Sequence, residues 1–318
     1  MESSKLKPNA TTVICFFLCC LNLFFLFRGT SCDAQIMTST GGPSLVETNN
    51  TSMRIEEPVV TKIKNNLEYD YIVLFGDSLT EKGVNAMGGW GQRMIQNYSR
   101  KAIVLVHGFG FYNSYWLKFV IEPLLRDIPS HRVKLMTLLV GTNDLSSETM
   151  PQHVPLEKYY QYLEEIILTM HTSAPQSRIL VMTPPPSRGK AHTIEDSILY
   201  RDACLETVAK IRKNVSQPWA KKQLQTLNTW DVFMPEKRYK LPGFQTKEWN
   251  PFFSDGIHFS ELGNERLFTG VIQKIHETWP ELISKRMKSI VVDAGLLPGP
   301  AALEENDEAT KWWLFERM

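Results

Sequence analysis

The stretch Tyr71-Ile-Val-Leu-Phe75-Gly76-Asp77-Ser78-Leu79 is a short apolar run that ends in a glycine, a carboxylate and a hydroxyl. A continuous apolar run without alternation suits a parallel strand buried on both faces. Ligands of open parallel sheets bind at the carboxyl ends of strands, so Ser78 stands where a substrate would be met. Taken by itself, Gly-Asp-Ser is more often just a helix cap.

Similar runs follow at Ala102–Val106, Leu135–Val140 and Ile179–Thr183, with a weaker one at Leu224–Asn228. Helical patterns separate them. Trp90–Tyr98 is one. Trp116–Arg126 is another, with Pro123 in its middle, which predicts two short pieces. Leu156–Met170 is the strongest, because Leu156, Tyr159, Tyr160, Leu163, Ile166, Ile167 and Met170 fall on one face, and Pro155 stands at its start. Ser197–Arg212 and Gly263–Trp279 complete the set. Strands alternating with helices predict an α/β fold with a parallel sheet covered on both sides.

The chain has 318 residues, of which 43% are hydrophobic and 22% charged. That length admits two domains, or one α/β domain with tails. Thirty-five basic residues against thirty-four acidic ones leave a formal charge of +1, which gives no long-range attraction to nucleic acid. The composition excludes collagen-like, disordered and disulfide-scaffold chains. Four of the five cysteines, Cys15, Cys19, Cys20 and Cys32, precede residue 33, and only Cys204 lies in the body, where it reads as buried and inert.

The cysteine skew belongs to a leader. Lys5 and Lys7 precede the apolar run Val13 to Phe27, and Arg28 with small residues follows, which predicts a signal peptide over residues 1–34 cleaved after Ser31 or Ala34. A retained single-pass anchor is the competing reading, although at about 1.5 Å per residue the run falls short of a bilayer core of about 30 Å. Acceptor triplets at Asn49, Asn50, Asn97 and Asn214 fit a secreted or lumenal body. Residues 35–68 read as a polar linker, 69–287 as the folded domain, and 288–318 as a C-terminal extension with an acidic run at Glu304–Glu308.

Three further segments bring chemistry to the strand ends. Asp255-Gly-Ile-His258 puts a carboxylate and an imidazole on one turn, where the first can orient the second. Gly141-Thr-Asn-Asp144, after the third run, supplies an amide donor at Asn143. Gly108-Phe-Gly-Phe-Tyr-Asn113, after the second, supplies main-chain N–H groups beside glycines. Each signal is weak alone. Together they provide a nucleophile, a base, an orienter and oxyanion donors. Asp231 is an alternative orienter.

In these segments the chain resembles the GDSL, or SGNH, hydrolases, and among them the isoamyl acetate-hydrolysing esterase branch. The resemblance runs from about Asp70 to Met287. It rests on Phe75-Gly-Asp-Ser-Leu-Thr-Glu81, Gly88-Gly-Trp-Gly91, Gly108–Trp116, Gly141-Thr-Asn-Asp144, Gln152-His-Val-Pro-Leu156, Thr183-Pro-Pro-Pro186 and Ser254-Asp-Gly-Ile-His-Phe-Ser260. It implies a flavodoxin-like three-layer α/β/α sandwich. By it Ser78 is the nucleophile, His258 the base and Asp255 its orienter, with Asn143 and the Ser78 N–H as oxyanion donors.

One position departs from the branch. Phe111 stands where the family carries its oxyanion glycine, and Gly110 where it carries a serine. Phenylalanine still has an N–H to donate, but it resists positive φ, and its ring is expected to crowd the acyl pocket. The donor is then Phe111 or, after a shift of the loop, Gly110.

Other motifs fall away. Gly108-x-Gly110-x-x-Asn113 lacks the last glycine of a dinucleotide fingerprint, and Pro280 stands where a His276-Glu277 zinc helix needs its second histidine. His107, His131, His153, His171 and His192 read as surface or satisfied residues, with His107 and His153 near strand ends. Pro184–Pro186 reads as a rigid turn with room for a cis bond. Trp249, Phe252 and Phe253 either cover the acyl pocket or pack the core.

The resulting expectation is a serine esterase of the secretory pathway acting on short acyl esters of small molecules, with no cofactor, metal or nucleic-acid partner. A glycan O-acetyl esterase and a catalytically silent binding module on the same fold are the alternatives. Membrane attachment through the N-terminal run accompanies the anchor reading.

Overall fold

A computed structural model describes residues 68–85, 87–189, 191–234 and 250–290. The expected leader, the acidic extension and Trp249 lie outside the described residues. Five strands form one wholly parallel sheet: β1 (Asp70–Gly76), β2 (Ala102–Gly108), β3 (Val133–Leu139), β4 (Arg178–Met182) and β5 (Leu224–Leu227). Their order is β2-β1-β3-β4-β5. The chain moves outward from β1 to β2 and then crosses back to β3, so the winding direction reverses between β1 and β3. Such a switch point opens a crevice at the carboxyl ends of the two strands.

Alternation along β1 builds the layers. Val73 and Phe75 point to one side, onto α3 (Ser114–Leu117), α4 (Ile121–Leu125), α5 (Leu156–Ser173) and α6 (Ile194–Lys213). Ile72 and Leu74 point to the other, onto α2 (Trp90–Asn97), α8 (Thr229–Phe233) and α9 (Glu261–Thr278). The architecture is the three-layer α/β/α sandwich expected. The remaining helices are α1 (Ser78–Asn85) and α7 (Ala220–Gln223).

The elements follow from local chemistry. The strong face of α5 buries Tyr159, Leu163, Ile166, Ile167 and Met170, each contributing about 1.5–3 kcal/mol. Pro123 falls in the first turn of α4, and the segment predicted over Trp116–Arg126 is indeed two pieces. Thr193, Asn228 and Ser260 cap α6, α8 and α9 with side-chain oxygens. Phe253 and Phe259 pack on Phe233 within the core. Cys204 is fully buried, and burial pushes its thiol up to about 12. No cis peptide bond occurs among the described residues, so the bonds at Pro184–Pro186 are trans, and the segment is extended chain rather than a turn.

Candidate active site

The end of β1 turns directly into α1, and Ser78 is the first helical residue. Asp77 caps the helix: its Oδ1 accepts the Leu79 N–H at 2.9 Å. The Ser78 N–H is one of the free donors of a helix start, and no group among the described residues accepts it. The end of β2 lies so close that a Cβ at Gly108 would sit 2.0 Å from the Glu81 nitrogen, which only glycine allows.

Residues 254–260 form a tight turn ahead of α9. Asp255 Oδ1 accepts the N–H groups of Ile257 at 3.0 Å and His258 at 2.8 Å. Gly256 sits at φ 87°, and a Cβ there would meet the Arg188 carbonyl oxygen at 2.1 Å. The Arg188 N–H donates to the Gly256 carbonyl at 2.8 Å, tying this turn to the loop after β4. The geometry leaves Asp255 Oδ2 2.7 Å from His258 Nδ1, and Ser78 Oγ 3.0 Å from His258 Nε2.

The charge of Asp255 assigns the imidazole tautomer. Partial burial pushes its pKa up, but the His258 N–H, the imidazole and the Ile257 N–H outweigh that and hold it at about 2. An ionised carboxylate only accepts hydrogen bonds, so Nδ1 carries the ring hydrogen. In the neutral imidazole Nε2 is then the acceptor, and the Ser78 hydroxyl donates to it. The arrangement can remove a proton from Ser78 Oγ and later return it to a leaving group.

Asn143 lies just beyond β3, across the switch point from Ser78. Its Nδ2 donates one hydrogen to the Tyr112 carbonyl at 2.8 Å, and the second has no acceptor among the described residues. Tyr112 closes a four-residue turn, with its N–H on the Phe109 carbonyl at 3.1 Å, while the Phe109 N–H holds the Gly76 carbonyl at 3.0 Å. Phe111 occupies the third position of this turn at φ 66°, the conformation a type II turn demands there. A non-glycine residue in that region costs about 1–2 kcal/mol. The expectation about Phe111 is therefore corrected twice. The residue does adopt positive φ, because the two flanking hydrogen bonds impose it. The residue is 71% exposed, so it is not packed into the site. The N–H groups of Gly110 and Phe111 both lack acceptors among the described residues.

Asp231 is not the orienter. Its Oδ2 accepts from Asn228 Nδ2 at 2.9 Å, and Asp255 holds the imidazole. His192 is buried, with Nε2 3.1 Å from Ser146 Oγ and Nδ1 3.1 Å from Ser187 Oγ. Burial pushes its pKa down. His153 Nδ1 meets the Ser146 carbonyl at 2.6 Å, and His171 stacks on Trp219 at 3.8 Å.

Two buried carboxylates escaped the reading of the sequence. Asp144 accepts the Ser114 N–H at 3.0 Å and the Ser114 hydroxyl, which clamps the Asn143 loop to the start of α3. Asp77 has one oxygen, Oδ2, buried without a partner. Burial pushes both up to about 7. Hydrogen bonds from Leu79 and Ser114 pull the other way, and the Asp144 charge adds to the rise at Asp77. Both residues adjoin a functional candidate in sequence, and that adjacency was the only available signal. Among the described residues, no group of three or more His, Cys, Asp or Glu side chains is placed to hold a metal.

A sequence profile of the GDSL-like Lipase/Acylhydrolase family matches residues 74–266, a span that contains Ser78, Asn143, Asp255 and His258. A GDSL esterase/lipase of Arabidopsis thaliana is 29% identical over 219 residues, covering 65% of this chain and 86% of the relative. The mouse isoamyl acetate-hydrolyzing esterase 1 homolog is 29% identical over 214 residues, covering 62% and 78%. Among solved structures, a member of the lipolytic protein G-D-S-L family from Veillonella parvula aligns with a TM-score of 0.49 at 15% identity, covering 67% of this chain and 99% of that one. This chain belongs to the GDSL-like lipase/acylhydrolase family and is a carboxylic ester hydrolase of small-molecule esters.

Proposed function

We propose that the protein hydrolyses short acyl, acetate-type esters through a Ser78–His258–Asp255 triad. The observation that carries this is the unbroken hydrogen-bonded line from Ser78 Oγ through the imidazole to Asp255, at 3.0 and 2.7 Å. His258 Nε2 takes the Ser78 proton as Oγ bonds to the ester carbonyl carbon. The carbonyl oxygen becomes an oxyanion held by the Ser78 N–H, the free Asn143 Nδ2 hydrogen and an N–H of Gly110 or Phe111. Collapse breaks the bond to the alcohol, which leaves with the proton from Nε2. Water then gives a proton to Nε2 and attacks the acyl carbon. The acid departs, and Ser78 Oγ regains its proton. The acetate preference is supported by the mouse relative, named as an isoamyl acetate-hydrolyzing esterase 1 homolog, and by the branch-typical segments of this sequence.

Hydrolysis of p-nitrophenyl acetate and isoamyl acetate by the purified protein tests the reading. Ser78→Ala is expected to reduce kcat by about 10⁴-fold or more. Wild-type rates in the variant would refute it.

The same proposal places the protein in the secretory pathway, with residues 1–34 as a signal peptide or a retained anchor. Asn214 is exposed and open to glycan attachment, whereas Asn97 Nδ2 is buried and closed to it. Sequencing of the mature N-terminus separates signal from anchor. An intact Met1 on secreted, unanchored protein would exclude both.

A further inference from the structure

Phe111 carries two costs that its surroundings do not offset. Its backbone is left-handed at φ 66°, and the residue is 71% exposed. Glycine would satisfy the same turn without strain and without an exposed apolar surface. The turn itself is fixed on both sides. The Phe109 N–H is anchored on Gly76, two residues before Ser78, and the Tyr112 carbonyl is anchored on the Asn143 side chain. The side chain thus emerges from a turn tied on one side to the end of β1 and on the other to Asn143, the two segments that carry Ser78 and the amide donor. Strained residues cluster where ligands are clamped. An aromatic face left in water gains most when an apolar group covers it.

We propose that Phe111 is a specificity-determining residue. Its ring packs against the hydrocarbon chain of the ester bound at Ser78, and so raises kcat/KM for longer or branched esters relative to the smallest ones, compared with the same site lacking the ring. The proposal rests on the Ser78 reading above and concerns the side chain alone, whichever turn N–H serves the oxyanion.

Two ester series test it: methyl acetate against isoamyl acetate, and p-nitrophenyl acetate against p-nitrophenyl hexanoate. kcat/KM is measured for wild type, Phe111→Gly and Phe111→Ala. Both variants keep the main-chain N–H. The ratio of long to short ester within one enzyme cancels any change in chemistry common to both. At least one ratio is expected to fall about tenfold in both variants, through a higher KM for the longer ester. Phe111→Gly is expected to melt no earlier than wild type, since it relieves the strain. Ratios within roughly twofold of wild type in active variants would overturn the Phe111 proposal alone. A fall in Phe111→Gly but not in Phe111→Ala would overturn it too, by assigning the effect to the backbone. Absence of Ser78-dependent turnover of all four esters by wild type would instead overturn the reading on which it rests.

Discussion

Asp255 and Asp77 both adjoin the Ser78–His258 pair, the first through the imidazole and the second as the neighbour of Ser78 in the chain. At pH 5 they hold opposite charge states. Asp255 is 54% exposed and receives three hydrogen bonds, which keep it ionised to about pH 2. Asp77 is fully buried and receives one at a side-chain oxygen, so it stays protonated to about pH 7. The difference lies in how many donors meet the carboxylate and how much water is lost, and not in distance from the reacting groups. One carboxylate is arranged to hold a charge against an imidazole. The other caps a helix from a site that disfavours charge.

Replacing the first should cost far more activity than replacing the second. Asp255→Asn presents an amide N–H to His258 Nδ1, which forces the ring hydrogen onto Nε2 and removes the acceptor for Ser78. kcat is expected to fall about 10³–10⁴-fold, read by p-nitrophenyl acetate turnover. The same variant should show an acid-sensitive loss of stability. A carboxylate depressed to about 2 stabilises the fold above its ordinary value of 3.8, and that contribution vanishes as pH falls through 2. The Tm gap between wild type and variant should therefore close between pH 5 and 2.

Asp77→Asn sharpens the contrast from the other side, with a smaller effect and the opposite pH sense. A carboxyl raised from 3.8 to about 7 keeps a proton in the fold that the unfolded chain has already released. Its relative stabilisation is full below pH 3.8 and is lost as pH rises through 7. Asparagine does not ionise, so the variant's Tm relative to wild type should be on the order of 10 °C higher at pH 8 than at pH 4. A gap independent of pH would show that Asp77 carries its charge in the fold like an ordinary carboxylate.

Much of the frame was legible before the structure. The four clear strands are apolar runs ended by glycine or a polar residue, and burial on both faces leaves that mark. Pro123 announced the break between α3 and α4. The turn with Asp255 and His258 was visible because three residues of spacing let a carboxylate reach both main-chain N–H groups and the ring. What escaped depends on residues that meet only through the fold. Ser114 and Asp144 are 30 residues apart, and Ser146 and His192 are 46 apart. Phe111 was misjudged for a different reason. Its intrinsic preference opposes positive φ, and hydrogen bonds to Gly76 and Asn143, invisible in the local sequence, override it. Helix α1 was read only as a cap because its eight residues bury just Leu79, Thr80 and Gly83.

The central claim is that Ser78 is the nucleophile activated by His258. Labelling of the native protein with a fluorophosphonate probe, followed by mass spectrometry of the peptides, tests it most directly. One phosphonyl adduct on Ser78, absent from His258→Ala on the same time scale, is the expected result. No adduct on Ser78, or labelling that persists undiminished in Ser78→Ala, would contradict the account.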